Sequence, residues 1–190
     1  IPDTFHPVIR YIRTHDRAEV VLKGGRGSTK STTATEILFE LLRNNPEVHA
    51  LVLRQVADTL KASIYAQCEW SANKQAENPM FDRDNWNFGK SPLEITYKPT
   101  GQKVYFRGAD DPGKIKSIKV PFGYIGIVIF EELDQFAGPE AVRKIEQSAI
   151  RGGQKAWVSK MFNPPISVSN WANQYADEPK AGKIVHTSTY

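Results

Sequence analysis

From Glu19 to Thr33 the chain reads EVVLKGGRGSTKSTT, and this stretch limits what the remainder can fold into. The apolar run Val20-Val21-Leu22 enters a tight turn, Gly24-Gly25-Arg26-Gly27, and an amphipathic helix opens at Lys30-Ser31. Strand, glycine-rich loop and helix in that order make an anion site. Glycines let successive N–H groups point into one concavity, and the helix N-terminus adds the positive end of its dipole. The spacing follows G-x-x-x-x-G-K-[ST], the loop that cradles nucleotide phosphates. On this reading Gly24, Gly25, Arg26, Gly27, Ser28, Thr29, Lys30, Ser31 and Thr32 surround the phosphates. Lys30 reaches the β- and γ-phosphates of ATP, and the Ser31 hydroxyl holds Mg²⁺. Thr29 stands where the motif has its second glycine. A β-branched residue tolerates positive φ poorly. Thr29 is therefore expected in an ordinary helical or extended conformation, with Gly24, Gly25 and Gly27 carrying the strained angles. The competing reading is a glycine-rich turn with a solvated lysine.

A second motif lies far downstream. Tyr124–Phe130 is the most apolar strand of the chain and runs straight into Glu131-Glu132. Nucleotide hydrolysis calls for two acids at such a strand end, one holding Mg²⁺ and the other orienting the attacking water. Glu131 fits the first role and Glu132 the second; two charges simply ending a strand is the alternative. Positive charge must also meet the γ-phosphate. Arg26, inside the loop, is the candidate within the same chain, and Arg151, Arg107 and Arg143 are candidates for a neighbouring subunit's site. Asn163, after the strand Trp157–Phe162, is a candidate γ-phosphate sensor, although an Asn-Pro turn also simply ends a strand. Tyr11 or Arg13 is a candidate for stacking on adenine.

With 190 residues, 40% of them hydrophobic, the chain suffices for one domain spanning residues 1–190. No apolar run approaches a membrane span, and no signal segment opens the chain. Ile1 rather than Met at the start suggests a processed or excised piece. The single cysteine, Cys68, shares a helical stripe with Leu60 and Ile64 and is expected in the core, as suits a reducing compartment. The histidines His6, His15, His49 and His186 show no zinc-type spacing. A net charge of +4 hints at a polyanionic partner. The cations Lys98, Lys103, Arg107, Lys114, Lys116 and Lys119 cluster against only Asp110 and Asp111. This patch is read either as a track for DNA phosphates or as a solvated loop.

Periodicity predicts helices over Thr29–Asn44 and Asp58–Ala72, and one opened by Gly138-Pro139. It predicts a buried strand at Ala50–Leu53, a hairpin of Leu93–Lys98 with Lys103–Arg107, and a last strand at Lys183–Thr187. Residues 1–17 read as a broken polar segment and 73–92 as an excursion. Strands alternating with helices behind a phosphate loop argue for an open, mainly parallel α/β sheet of the P-loop NTPase (RecA-like) class, with the hairpin as an antiparallel addition.

The segments GGRGSTKS, IVIFEELDQF and MFNPP, with VLRQVADTLKASIYAQCEW and DDPGKIKSIKVPFG between them, resemble the ATPase domain of tailed-bacteriophage terminase large subunits, the PBSX-like group above all. The resemblance covers nearly the whole chain. It implies an ATP-driven motor that moves double-stranded DNA into the procapsid in the host cytoplasm. It also implies a homo-oligomeric ring on the portal protein, and a small terminase subunit as partner. By position, Gly24–Ser31 become the Walker A loop, Glu131 the Walker B acid, Glu132 the catalytic glutamate and Phe162-Asn163-Pro164 the coupling motif. Thr29 and Glu131 depart from the commonest residues of their motifs. The metal-dependent nuclease domain of such proteins is not expected within this chain. A helicase or other translocase of similar core, a switch GTPase built on Asp110-Asp111-Pro112-Gly113, and a nucleotide-dependent DNA-binding module without turnover are the competing functions.

Overall fold

The computed structural model describes residues 1–188. The uninterrupted apolar runs become the inner strands of one sheet, buried on both faces as parallel strands require. β1 (Arg17–Gly24), β2 (Val48–Arg54), β6 (Tyr124–Glu131) and β7 (Ala156–Phe162) form its centre. β5 (Gln102–Gly108) and β8 (Lys183–Ser188) flank them, and β3 (Trp86–Lys90) and β4 (Leu93–Tyr97) complete one edge. The order is β3-β4-β5-β2-β6-β7-β1-β8. From β5 to β8 every pairing is parallel; β3–β4 and β4–β5 are antiparallel.

Alternation along each strand sends neighbouring residues to opposite faces. Val20, Leu22, Val52, Ile127 and Ile129 pack with Phe5, Ile12, Leu38, Tyr65 and Cys68 on one side. There the cover is α1 (His6–Thr14), α2 (Lys30–Asn44) and α3 (Ala66–Gln75). Val21, Leu51, Leu53, Val128, Phe130 and Phe162 pack with Phe136, Val142 and Ala172 on the other. That face carries α4 (Pro112–Lys116), α5 (Pro139–Ala149) and α6 (Trp171–Asp177). Cys68 is fully buried, as its stripe predicts, and burial drives its thiol pKa far upward.

The architecture departs from the sequence reading in several places, β3 within the expected excursion among them. Residues 6–14 form a helix, because Pro7 falls in the first turn, where a missing N–H is harmless. Phe5, Val8, Ile9 and Ile12, at helical spacing, are its buried face. The hairpin exists, yet β5 lies parallel to β2 and belongs to the main sheet, so β3 and β4 are the antiparallel addition. The helix expected from Asp58 starts as a 3-10 turn at Ala57–Thr59 and passes through a π-helical segment at Lys61–Tyr65 before α3 begins. Finally, α6, capped by Asn170 on the Ala172 N–H, has no counterpart in the sequence reading.

The registers Lys23↔Phe162, Glu131↔Met161 and Leu53↔Phe130 bring the C-terminal ends of β1, β7, β6 and β2 together. At this edge the loops after the strands converge, as is usual for ligand sites in open α/β sheets.

Candidate nucleotide site

A cleft of about 490 Å³ opens at that edge, lined by Gly25 to Thr32, Arg54, Ser63, Gln67, Glu131, Glu132 and Met161 to Asn163. The phosphate-type loop and the twin glutamates, distant in sequence, thus share one concavity.

The loop solves its backbone problem differently from the sequence expectation. Gly27 has φ 79°, but the other left-handed residue is Thr29, at φ 60° and ψ 11°, while Gly24 and Gly25 keep ordinary angles. The turn that leads into α2 needs a left-handed residue at the motif's second glycine position, and Thr29 accepts it, its Oγ1 donating to the Ser28 carbonyl at 2.8 Å. Gly24 serves another need. A Cβ there would stand 2.3 Å from Ser188 Oγ and 2.4 Å from the Ser188 carbonyl oxygen, so only glycine lets β1 close on β8.

Lys30 is buried, and its ammonium closes the loop from within. Nζ donates to the carbonyl oxygens of Gly24 (2.7 Å) and Gly25 (2.9 Å), to Ser28 Oγ (2.9 Å) and to Asn163 Oδ1 (3.1 Å). Burial lowers its pKa from the ordinary lysine value. The bond to Asn163 ties the end of β7 to the loop's lysine, so the two motifs touch directly.

Opposite stand the acids. Burial raises the Glu131 carboxyl above its ordinary value, and the Arg54 charge opposes that rise. Arg54 Nε lies 3.1 Å from Glu131 Oε2, and its Nη2 pairs with Glu132 Oε1. Glu131 Oε2 is nevertheless buried without a completed hydrogen bond, an acceptor still open to a cation or a water. Glu132 takes a left-handed conformation, φ 55° and ψ 55°, which breaks the strand and leaves its side chain half exposed.

The other sequence candidates fall in different places. Arg26 is exposed on the loop and lines the cleft. Arg107 lies on β5, one strand beyond Arg54, 3.6 Å from Glu94. Arg143 is exposed on α5 and paired with Glu140, and Arg151 lies near Tyr124 at the opposite end of the sheet. Neither of them lines this cleft. The adenine candidates also lie outside it. Tyr11 stacks on His15 at 4.0 Å, and Arg13 is paired with Glu40. Asp111 caps α4 beside a different groove, so the D-x-x-G match does not join the site. Arg54 lines the cleft from the end of β2, the strand end where the sequence reading places ligand sites, whereas Ser63 and Gln67 are cleft residues that motif matching does not single out. Their signal is nonetheless present: Ser63, Gln67 and Ser71 recur every fourth residue beside the apolar stripe Leu60, Ile64 and Cys68.

A mainly parallel sheet with such a loop after β1 and acids after a central strand defines a P-loop NTPase fold. The same overall shape is found in the large terminase of a thermophilic bacteriophage in complex with ADP, with TM-score 0.66 and 13% identity, covering 100% of this chain and 46% of that one. The chain belongs to the phage terminase large subunit family, whose model matches residues 16–190. It is 34% identical over 192 residues to the terminase large subunit of Bacillus phage SPP1, covering 98% of this chain and 44% of that protein. The PBSX phage terminase large subunit of Bacillus subtilis (strain 168) is 26% identical over 192 residues, with coverages of 94% and 39%. The chain therefore spans less than half the length of these relatives.

Proposed function

We propose that this chain is the ATPase domain of a DNA-packaging motor. The observation that carries the reading is the meeting of Lys30, Asn163, Glu131 and Glu132 at one cleft. On nucleotide binding, Lys30 exchanges its bonds to the Gly24 and Gly25 carbonyls for β- and γ-phosphate oxygens, while the loop N–H groups and the α2 N-terminus hold the remaining charge. The residues fit Mg²⁺: Glu131 keeps a buried oxygen without a completed hydrogen bond, and Ser31 opens α2 in the same cleft lining. Bound there, the ion would neutralise charge developing on the phosphates. Glu132 takes the proton of the attacking water, and Arg26 contributes positive charge from the loop. Asn163, bonded to Lys30, reports the state of the γ-phosphate to β7.

In the whole protein, of which this piece supplies ATP hydrolysis, the motor moves double-stranded DNA into a procapsid within the host cytoplasm. It works there as a ring on the portal protein, with a small terminase subunit. Family membership and the likeness to an ADP-bound large terminase support this reading.

Glu132→Gln tests it. ATP should still bind, while hydrolysis falls by about 100-fold or more, as expected on removing a general base. A variant that cleaves ATP at the normal rate removes Glu132 from the chemistry.

A further inference from the structure

The cleft has a third wall. Ser63, Gln67 and Ser71 lie on one face of the segment after β2; Ser63 and Gln67 line the cleft, and Ser71 is fully buried. Ser71 Oγ is 2.7 Å from Thr35 Oγ1. Gln67 Nε2 donates to Thr32 Oγ1 at 3.2 Å and to Ser71 Oγ at 3.3 Å. Its amide is thereby fixed against α2, the helix that carries Lys30 and Ser31. Both Nε2 hydrogens are engaged, whereas Oε1 makes no hydrogen bond among the described residues. An amide anchored by its donor end offers an oriented acceptor at the other.

The backbone supports the same placement. Ser63 sits in the π-helical segment with φ −118° and ψ −107°, a break in a helix of a kind often found at functional sites. A purely structural seam between α2 and α3 accounts for Ser71 and Thr35, both fully buried. It does not account for Gln67, which remains partly open on the cleft.

We propose that Gln67 holds the attacking water. This rests on the ATPase reading above. The water oxygen forms a bond to the γ-phosphorus, and the bond to the β–γ bridging oxygen breaks with its electron pair leaving on ADP. One water proton passes to Glu132. Gln67 Oε1 accepts a hydrogen bond from the other hydrogen and takes no proton, so the lone pair of the water is aimed at phosphorus.

The test compares Gln67→Met, close in size but without an acceptor, with Ser71→Ala, which loosens the inner anchor without touching the cleft. Single-turnover ATP hydrolysis, ADP affinity and melting temperature are measured for each. Gln67→Met should lose about 100-fold in the chemical step, the scale for removing one preorganised polar group, with ADP affinity unchanged and melting temperature lowered no more than in Ser71→Ala, since both lose the Gln67–Ser71 bond. Ser71→Ala should lose far less. A Gln67→Met variant at the wild-type rate overturns the proposal, as does one whose rate, ADP affinity and melting temperature fall together, since that pattern marks a structural seam. If wild-type protein binds no ATP and Lys30→Ala behaves identically, the ATPase reading itself fails and takes this inference with it.

Discussion

Thr29 shows how one residue can sit correctly in a motif and still be misread from its chemistry. The strand, the loop and Lys30 are legible in the sequence because glycine spacing and apolar periodicity encode them directly. The backbone angle at Thr29 is not, because a left-handed threonine costs about 1–2 kcal/mol and propensity argues against it. The surrounding turn overrides that cost. Thr29→Gly should therefore remove the steric strain and return only part of it, about 0.5–1 kcal/mol, as unfolded-chain entropy. The expected result is a variant up to about 1 kcal/mol more stable in urea unfolding. A clearly less stable one would mean that the bond from Thr29 Oγ1 to the Ser28 carbonyl outweighs the strain.

Among the elements, β7 shows what periodicity cannot reveal. Its strand is evident from Trp157 to Phe162, but Lys160 in the middle is 1% exposed. It pairs with Glu19 on β1 at 3.0 Å and with Glu146 on α5 at 2.7 Å, and it donates to the Tyr175 hydroxyl on α6. Nothing in the order of residues announces that three distant segments supply those partners. The same limit hides α6 and the role of Arg54, both defined by neighbours remote in sequence. α1, by contrast, is readable from its spacing, and the two prolines obscure it. Burial raises the Glu19 carboxyl, but the Lys160 charge and bonds from Lys180, Tyr175 and Lys160 outweigh it, leaving its pKa below the ordinary 4.5. A depressed carboxyl stabilises the fold fully above its unfolded value and loses that contribution as pH falls through the lower folded value. Unfolding free energy should accordingly decline below pH 4.5 in wild type. Lys160→Met should be less stable at neutral pH by less than the about 3–5 kcal/mol of a fully broken buried pair, since Glu19 keeps Lys180 and Glu146 is only partly buried. Urea titrations across pH check both.

At the scale of the whole molecule, the basic patch is less cationic than its sequence suggests. Lys103 is 3.0 Å from Glu94, Arg107 shares that glutamate at 3.6 Å, and Lys114 is 3.3 Å from Asp111. Lys98, Lys116 and Lys119 are exposed and make no ion pair among the described residues. If this face follows a duplex, those lysines neutralise its phosphates. Replacing Lys116 and Lys119 with Ala should then flatten the dependence of log K on log salt by about 0.9 for each phosphate left without its cation. The substitution of Lys114, already compensated, should add little. Equal slopes for wild type and the double variant would assign this face to solvent. The sheet order puts β5 beside β2, but Lys98 lies in the turn that enters β5, and Lys116 and Lys119 share a groove with Tyr124 and Arg151 at the end of the sheet away from the cleft.

The ammonium of Lys30 binding its own loop has a kinetic meaning. A cradle that already satisfies its inner cation needs no collapse or ordering to receive a triphosphate. On the proposed ATPase reading, capture would then be an exchange of one set of oxygens for another, rather than a search through open conformations. Discharge of ADP, on that same reading, would be the reverse swap, with the Gly24 and Gly25 carbonyls placed to reclaim the cation.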